Sequence, residues 1–213
     1  MSNILFPSQK KYLESFRKDS DSLLKEMEVF AEENNVPILD WQSSELLEKL
    51  IEIYKPERVL EIGTAIGYST IRIARCLSKK SVIYTIEKSE DNIKLAEQNF
   101  EKSGLKKKIR LLKGDALNIL PQIGKKFDFI FLDADKEDYK RLFDYSMILL
   151  RKGGVILIDN LLWHGYAASN RVPAKYRKSA KHIKDFNKLF ILQQNLDSMI
   201  IPVGDGLGLG IKR

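Results

Sequence analysis

Cysteine and histidine, which carry most thiol and zinc chemistry, are nearly missing from this chain: it holds one cysteine, Cys76, and two histidines, His164 and His182. A lone cysteine closes no internal disulfide, and its seat in the apolar-patterned stretch Ile71 to Leu77 reads as a structural residue and not a nucleophile. The six prolines are scattered, nothing resembles a linker, and no low-complexity tract or internal repeat is found. No apolar run approaches the roughly 18 residues of a membrane span. The start, Met1-Ser-Asn-Ile-Leu-Phe-Pro7, lacks a basic stretch followed by an apolar core. These absences predict a soluble, cytoplasmic protein with no membrane partner.

What is present is an alternation of apolar runs and helical patterns. With 213 residues at 44% hydrophobic, the chain can bury a full core as one α/β domain, residues 1–213. Residues 8 to 34 read as an amphipathic helix, and Ser43 to Tyr54 as another, together forming an N-terminal helical part in 1–55. In 56–213, apolar runs at Val59–Ile62, Val82–Ile86, Ile109–Leu112, Phe127–Leu132 and Val155–Ile158 alternate with helices from Tyr68, Asp91–Lys102, after Asp115, Asp138–Leu150 and Ser179–Gln193. Strands separated by helices imply βαβ units and a parallel sheet. The last two runs, Met199–Val203 and Leu207–Ile211, are joined only by Gly204-Asp-Gly206, too short for a crossover, so the last strand pairs antiparallel. The predicted architecture is a doubly wound, seven-stranded, mostly parallel sheet.

Chemistry concentrates at the predicted strand ends, where open α/β sheets bind ligands. Asp133 follows one apolar run and Asp159-Asn160 another, so neighbouring strands can present three oxygen donors to one point. Hard oxygens without thiolate or imidazole suit Mg²⁺, Mn²⁺ or Ca²⁺. Lys136, three residues after Asp133, adds a possible base. The first strand leads into Glu61-Ile-Gly63-Thr64-Ala-Ile-Gly67-Tyr-Ser69, a tight glycine turn before a helix N-terminus. Its spacing departs from G-x-G-x-x-G and disfavours a nicotinamide dinucleotide. Glu87, closing the second strand, is placed to hold a ribose diol, and Asp115 in Gly114-Asp-Ala116 to receive an adenine amine. Together they describe a nucleoside site.

With these segments, and with Leu150-Arg-Lys-Gly-Gly154, Asp159-Asn-Leu-Leu-Trp163 and Gly204-Asp-Gly-Leu207, the chain from about Pro37 onward resembles the metal-dependent, S-adenosylmethionine-dependent O-methyltransferases that include the catechol and caffeoyl-CoA enzymes. The resemblance implies a Rossmann-like class I methyltransferase fold with extra N-terminal helices, and a homodimer. It implies that Glu61, Gly63, Ser69, Glu87 and Ala116, with Thr64, Gly67, Asp115 and Asp133 around them, hold the cofactor S-adenosylmethionine. It further implies that Asp133, Asp159 and Asn160 hold Mg²⁺ or Mn²⁺, and that Lys136 is the catalytic base beside Asp133. Two departures stand out: Asp138 replaces a frequent Asn, and the usual Pro-Glu-Gln before the first family helix reads Asp40-Trp-Gln42.

The net charge of +7 is uneven. Between Gly165 and Lys188 stand Arg171, Lys175, Arg177, Lys178, Lys181, Lys184 and Lys188 against Asp185 alone. Beside Trp163, Tyr166 and Tyr176, this stretch suits a phosphate backbone and stacked bases. One branch of the family fits it: the bacterial tRNA 5-hydroxyuridine methyltransferases, which complete 5-methoxyuridine at the wobble position. That resemblance makes tRNA the expected partner, with Trp163, Arg171, Lys175, Arg177 and Lys178 on the anticodon stem-loop. A small-molecule catechol or phenol O-methyltransferase shares the same core motifs, and a nucleic-acid-binding protein without catalysis is a third reading.

Overall fold

The computed structural model describes residues 6–17 and 21–213. Strands β1 (Arg58–Ile62), β2 (Val82–Glu87), β3 (Ile109–Lys113), β4 (Phe127–Leu132), β5 (Leu150–Ile158), β6 (Leu196–Ile201) and β7 (Leu207–Lys212) form one sheet in the order β3-β2-β1-β4-β5-β7-β6. The pairs among β1 to β5 are parallel, and β7 is antiparallel to both of its neighbours, as the short Gly204–Gly206 connection requires. Helices α1 (Pro7–Glu14), α2 (Ser22–Asn34), α3 (Trp41–Tyr54), α4 (Tyr68–Cys76), α5 (Glu90–Ser103), α6 (Ala116–Ile119), α7 (Tyr139–Leu149) and α8 (Arg177–Leu192) complete the described fold. None of the helices is long and apolar enough to cross a membrane among the described residues.

The central strand shows why the sheet has two covered faces. All six residues of Phe127-Asp-Phe-Ile-Phe-Leu132 are buried, the pattern of a parallel strand with helices on both sides. Phe129 and Phe131 pack with Leu47, Ile71 and Phe100 of α3, α4 and α5 on one face. Ile130 and Leu132 pack with Tyr139, Phe143, Ile183 and Phe190 of α7 and α8 on the other, as period-2 alternation dictates.

Element boundaries differ from the sequence expectation, β6 at Leu196–Ile201 against the expected Met199–Val203 among them. The single helix read over 8 to 34 is two helices, because Asp21 caps a new one, its Oδ1 accepting the Leu24 N–H at 2.9 Å; Lys18 to Ser20 lie outside the described residues. Of the apolar positions there, Leu24 and Met27 are buried, while Phe16 is exposed and α1 has no buried residue. The helix expected to reach Leu150 stops at Leu149, and Leu150 to Gly154 join β5, since pairing of Leu150 with Phe127 overrides the turn-like composition of Arg-Lys-Gly-Gly.

The carboxyl ends of β1 to β5 share one edge, and β1 sits between β2 and β4, where the winding reverses. Backbone pairing continues past the strand ends there: Gly63 N–H donates to Ile86 O at 3.1 Å, Asp133 N–H to Ile62 O at 3.0 Å and Asp159 N–H to Leu132 O at 3.0 Å. The residues that carry the chemistry are therefore held almost as rigidly as the strands.

Candidate active site

At that edge lies a cleft of about 740 Å³ whose walls include Gly63, Thr64, Ser69, Glu87, Asp115, Ala116, Asp133, Lys136, Asp159, Asn160 and Trp163. Gly63 has φ +104°, and a Cβ there would lie 1.9 Å from the Asp133 carbonyl oxygen, so only glycine lets β1 and β4 approach this closely. Glu87 Oε2 accepts the Ala65 N–H at 2.8 Å, fixing the glycine turn against the end of β2. Asp115 Oδ1 accepts the Leu117 N–H at 2.8 Å and so starts α6.

Two residues of the glycine segment stand behind this wall. Glu61 is fully buried and takes hydrogen bonds from Ser69 Oγ at 2.6 Å, Thr85 Oγ1 at 2.6 Å and Thr70 Oγ1. Burial pushes its carboxyl up to about 7 in spite of the three hydroxyls that favour the charged form. Gly67 (φ +87°) faces Phe100, where a Cβ would come within 2.6 Å of the ring.

The opposite wall gathers the acidic clusters. Lys136 Nζ donates to Asp133 Oδ1 at 3.1 Å and to Ala134 O at 3.0 Å, and sits 4.9 Å from the Tyr139 ring centroid and 5.7 Å from that of Trp163. Asp159 is 4% exposed, and burial followed by the Asp133 charge raises its carboxyl well above the ordinary carboxylate range. Burial alone would lower the Lys136 ammonium, but Tyr139, Asp133 and Asp159 outweigh it and hold the proton more tightly than in a free lysine. Two carboxylates and a carboxamide beside one lysine form an oxygen-rich site that gains from further positive charge. Among the described residues no group of three His, Cys, Asp or Glu side chains forms a metal cluster, so a cation here would depend on the Asn160 oxygen as its third ligand. The donor chemistry fits Mg²⁺ or Mn²⁺.

Comparison with known proteins identifies the family. A family model described as O-methyltransferase matches residues 14–213. This chain belongs to the O-methyltransferase family. A catechol O-methyltransferase of Niastella koreensis is 30% identical over 222 residues, covering 99% of each chain. A caffeoyl-CoA O-methyltransferase of Nicotiana tabacum is 33% identical over 189 residues, covering 82% of this chain and 76% of the relative. The crystal structure of an O-methyltransferase from Bacillus cereus in complex with SAH superposes with a TM-score of 0.84 at 29% identity, covering 97% of both chains.

In this O-methyltransferase the basic segment spreads over two hollows that share Lys181. Arg171 and Arg177 line a groove of about 780 Å³ beside Tyr166, together with Lys181 and Lys184. Lys178 pairs with Glu137 Oε2 at 2.7 Å and shares a second cavity of about 440 Å³ with Lys181, and Lys175 lies over the Tyr176 ring at 4.6 Å. Arg177, Lys181, Lys184 and Lys188 follow each other at helical spacing along α8, all exposed. None of the three lysines has an ion-pair partner among the described residues. Between groove and cleft runs a set of rings: Trp163 to His164 at 5.1 Å, His164 to Tyr166 at 6.3 Å and Tyr166 stacked on Tyr176 at 5.3 Å.

Sequence reasoning left three contributors without a role. Tyr139 donates its hydroxyl to the Asp159 backbone oxygen at 3.0 Å from full burial. Asp40 caps α3 through the Gln42 and Ser43 N–H groups at 2.9 and 3.2 Å, and its charge reaches Asp159. Asp205, in the turn before β7, accepts the His164 N–H at 2.6 Å. An acid between two glycines was the available signal for Asp205. Cys76 is half-buried with a thiol pushed up to about 11, chiefly by burial, which suits an inert residue.

Proposed function

We propose that this S-adenosylmethionine-dependent O-methyltransferase methylates, with a divalent cation, a hydroxyl next to a second oxygen on 5-hydroxyuridine at the tRNA wobble position. The observation that carries the nucleic-acid part is the unpaired cation stripe on α8, which adjoins the cleft through a continuous set of aromatic rings. Polyanion binding needs cations free of internal partners, and base stacking needs exposed ring faces. An anticodon base is already unstacked in its loop, so it enters the cleft with little deformation.

The residues divide the work. Gly63 and Ser69 admit the cofactor at the helix α4 end, Glu87 takes its ribose diol and Asp115 its adenine edge. Asp133, Asp159 and Asn160 would hold the cation, whose chemistry is to favour the oxyanion form of a nearby hydroxyl. Lys136, whose ammonium is held by Asp133 and Asp159 while those carboxylates are uncompensated, would take the proton in its neutral form once they are engaged by the cation, and its replacement by Ala should lower kcat by roughly 10² to 10⁴. Trp163 offers a flat wall against the acceptor ring and is fixed by Nε1–H donation to Ser179 Oγ at 2.9 Å. Holding the methyl donor in line with the oxygen can contribute on the order of 7 to 11 kcal/mol.

The names of the relatives favour a second reading, a small catechol or phenol as acceptor. Methyl transfer from labelled S-adenosylmethionine to tRNA bearing 5-hydroxyuridine and to a simple catechol, each with Mg²⁺ and with a chelator, separates the two. The tRNA reading expects efficient metal-dependent labelling of tRNA, weakened in Lys181→Glu/Lys184→Glu with a salt dependence of binding flatter by about two in log–log slope. Labelling of the catechol alone would return the enzyme to small acceptors.

A further inference from the structure

Three non-glycine residues with left-handed backbone follow β5: Asn160 at φ 61°, Trp163 at φ 46° and His164 at φ 56°. Side chains of ordinary residues resist this region, so something outside the loop must impose it. The turn Gly204-Asp205-Gly206 does so. Leu161 N–H donates to Gly206 O and Leu162 N–H to Asp205 O, both at 2.8 Å, while the Asp205 side chain takes the His164 N–H through Oδ1 at 2.6 Å. The turn is in turn wedged from behind. A Cβ on Gly204 would meet Asp40 Oδ2 at 2.0 Å and Ser43 Oγ at 2.2 Å, and one on Gly206 would meet Leu162 Cγ at 2.5 Å.

We propose that Asp205 is the positioning residue of the acceptor wall: it locks the 160–164 backbone and thereby aims Asn160 at the cation and Trp163 at the acceptor, touching neither. Its place supports this. The side chain is 13% exposed, its Oδ2 is buried without a hydrogen bond of acceptable geometry, and the His164 Nδ1 stands 3.7 Å away. The Asn160 carboxamide lies against the same side chain. The inference rests in part on the reading of Asn160 as a cation ligand.

The test compares wild type, Asp205→Ala and Asp205→Asn, each in a Trp41→Phe background that leaves Trp163 as the only tryptophan. Mn²⁺ binding is read by electron paramagnetic resonance, S-adenosylhomocysteine binding by calorimetry and the Trp163 surroundings by emission wavelength. Removing a residue that orients a ligand should weaken Mn²⁺ binding about 10- to 100-fold. We expect that loss in Asp205→Ala, with red-shifted Trp163 emission, a raised acceptor KM and unchanged S-adenosylhomocysteine affinity. Asp205→Asn keeps an oxygen for the His164 N–H and should recover most of each effect. Unchanged Mn²⁺ affinity and emission in a folded Asp205→Ala would overturn the proposal, as would an equal loss of S-adenosylhomocysteine binding. If wild type itself binds no Mn²⁺, the reading of Asn160 falls separately, and the emission of Trp163 still decides whether Asp205 sets the loop.

Discussion

Along the β1–β3 wall of the cleft, backbone at positive φ is carried chiefly by glycine: Gly63, Gly67 and Gly114, with Ala65 the exception that Glu87 holds in place. Along the β4–β5 wall the same region of φ is carried by Asn160, Trp163 and His164. At Gly63 and Gly67 glycine is used where the chain passes too close to a neighbour for any side chain. Asparagine, tryptophan and histidine are used where the side chain is itself the functional element and a remote turn supplies the constraint. Each wall also has its buried acid. Glu61 is satisfied by three hydroxyls, whereas Asp159 faces a second carboxylate and a lysine. One wall is a fixed cradle and the other a set of side chains held under strain.

The sharpest way to break the contrast is Gly63→Ala. Its methyl would press on the Asp133 carbonyl in a backbone conformation that L-residues avoid, so the change should cost roughly 3 to 5 kcal/mol. Urea unfolding measures it, and a loss under about 1 kcal/mol would mean that this wall is as adaptable as its opposite.

This division also explains what the sequence made legible. The glycine turn, the acids Glu87, Asp115, Asp133 and Asp159, and the seven runs of the sheet each announce themselves in a short stretch, because they are set by local spacing and strand periodicity. The entry of Leu150 to Gly154 into β5 was not legible, since it depends on pairing with Phe127. The split of the basic segment was hidden for a similar reason. Lys178 and Lys181 are three apart in sequence and line one cavity, yet Lys178 meets Glu137 while Lys181 also lines the groove, a difference fixed only once α8 is docked. Family resemblance implies Glu61 as a cofactor contact, and what no short stretch announces is that its side chain turns inward to Ser69, Thr70 and Thr85.

Glu61 gives the comparison a pH signature. Its carboxyl stands at about 7 in the folded protein against an ordinary value of 4.5. Between those values the unfolded chain releases a proton that the folded chain keeps, so this residue's contribution to stability declines as pH rises from about 4.5 to about 7 and is level beyond either end. The full span is about 3 kcal/mol at the upper end. Glu61→Gln, which keeps an acceptor for the hydroxyls, should flatten the stability profile in that window. An identical slope in wild type and variant would remove Glu61 as its source.

The smallest effect is expected at His164, and it tests the strained wall directly. Its backbone N–H, held by Asp205, survives in His164→Gly, and glycine adopts φ 56° without steric cost. Against that relief stand the greater freedom of glycine in the unfolded chain and the loss of a ring 5.1 Å from Trp163, on a side chain that is 40% exposed. These terms nearly cancel, so stability should stay within about 1 kcal/mol of wild type in the same urea experiment. A left-handed position that accepts glycine at no loss, opposite one that refuses alanine, would establish that His164 is kept for its side chain and Gly63 for the lack of one. A loss of 3 kcal/mol or more would instead make the His164 ring part of the protein's structural frame.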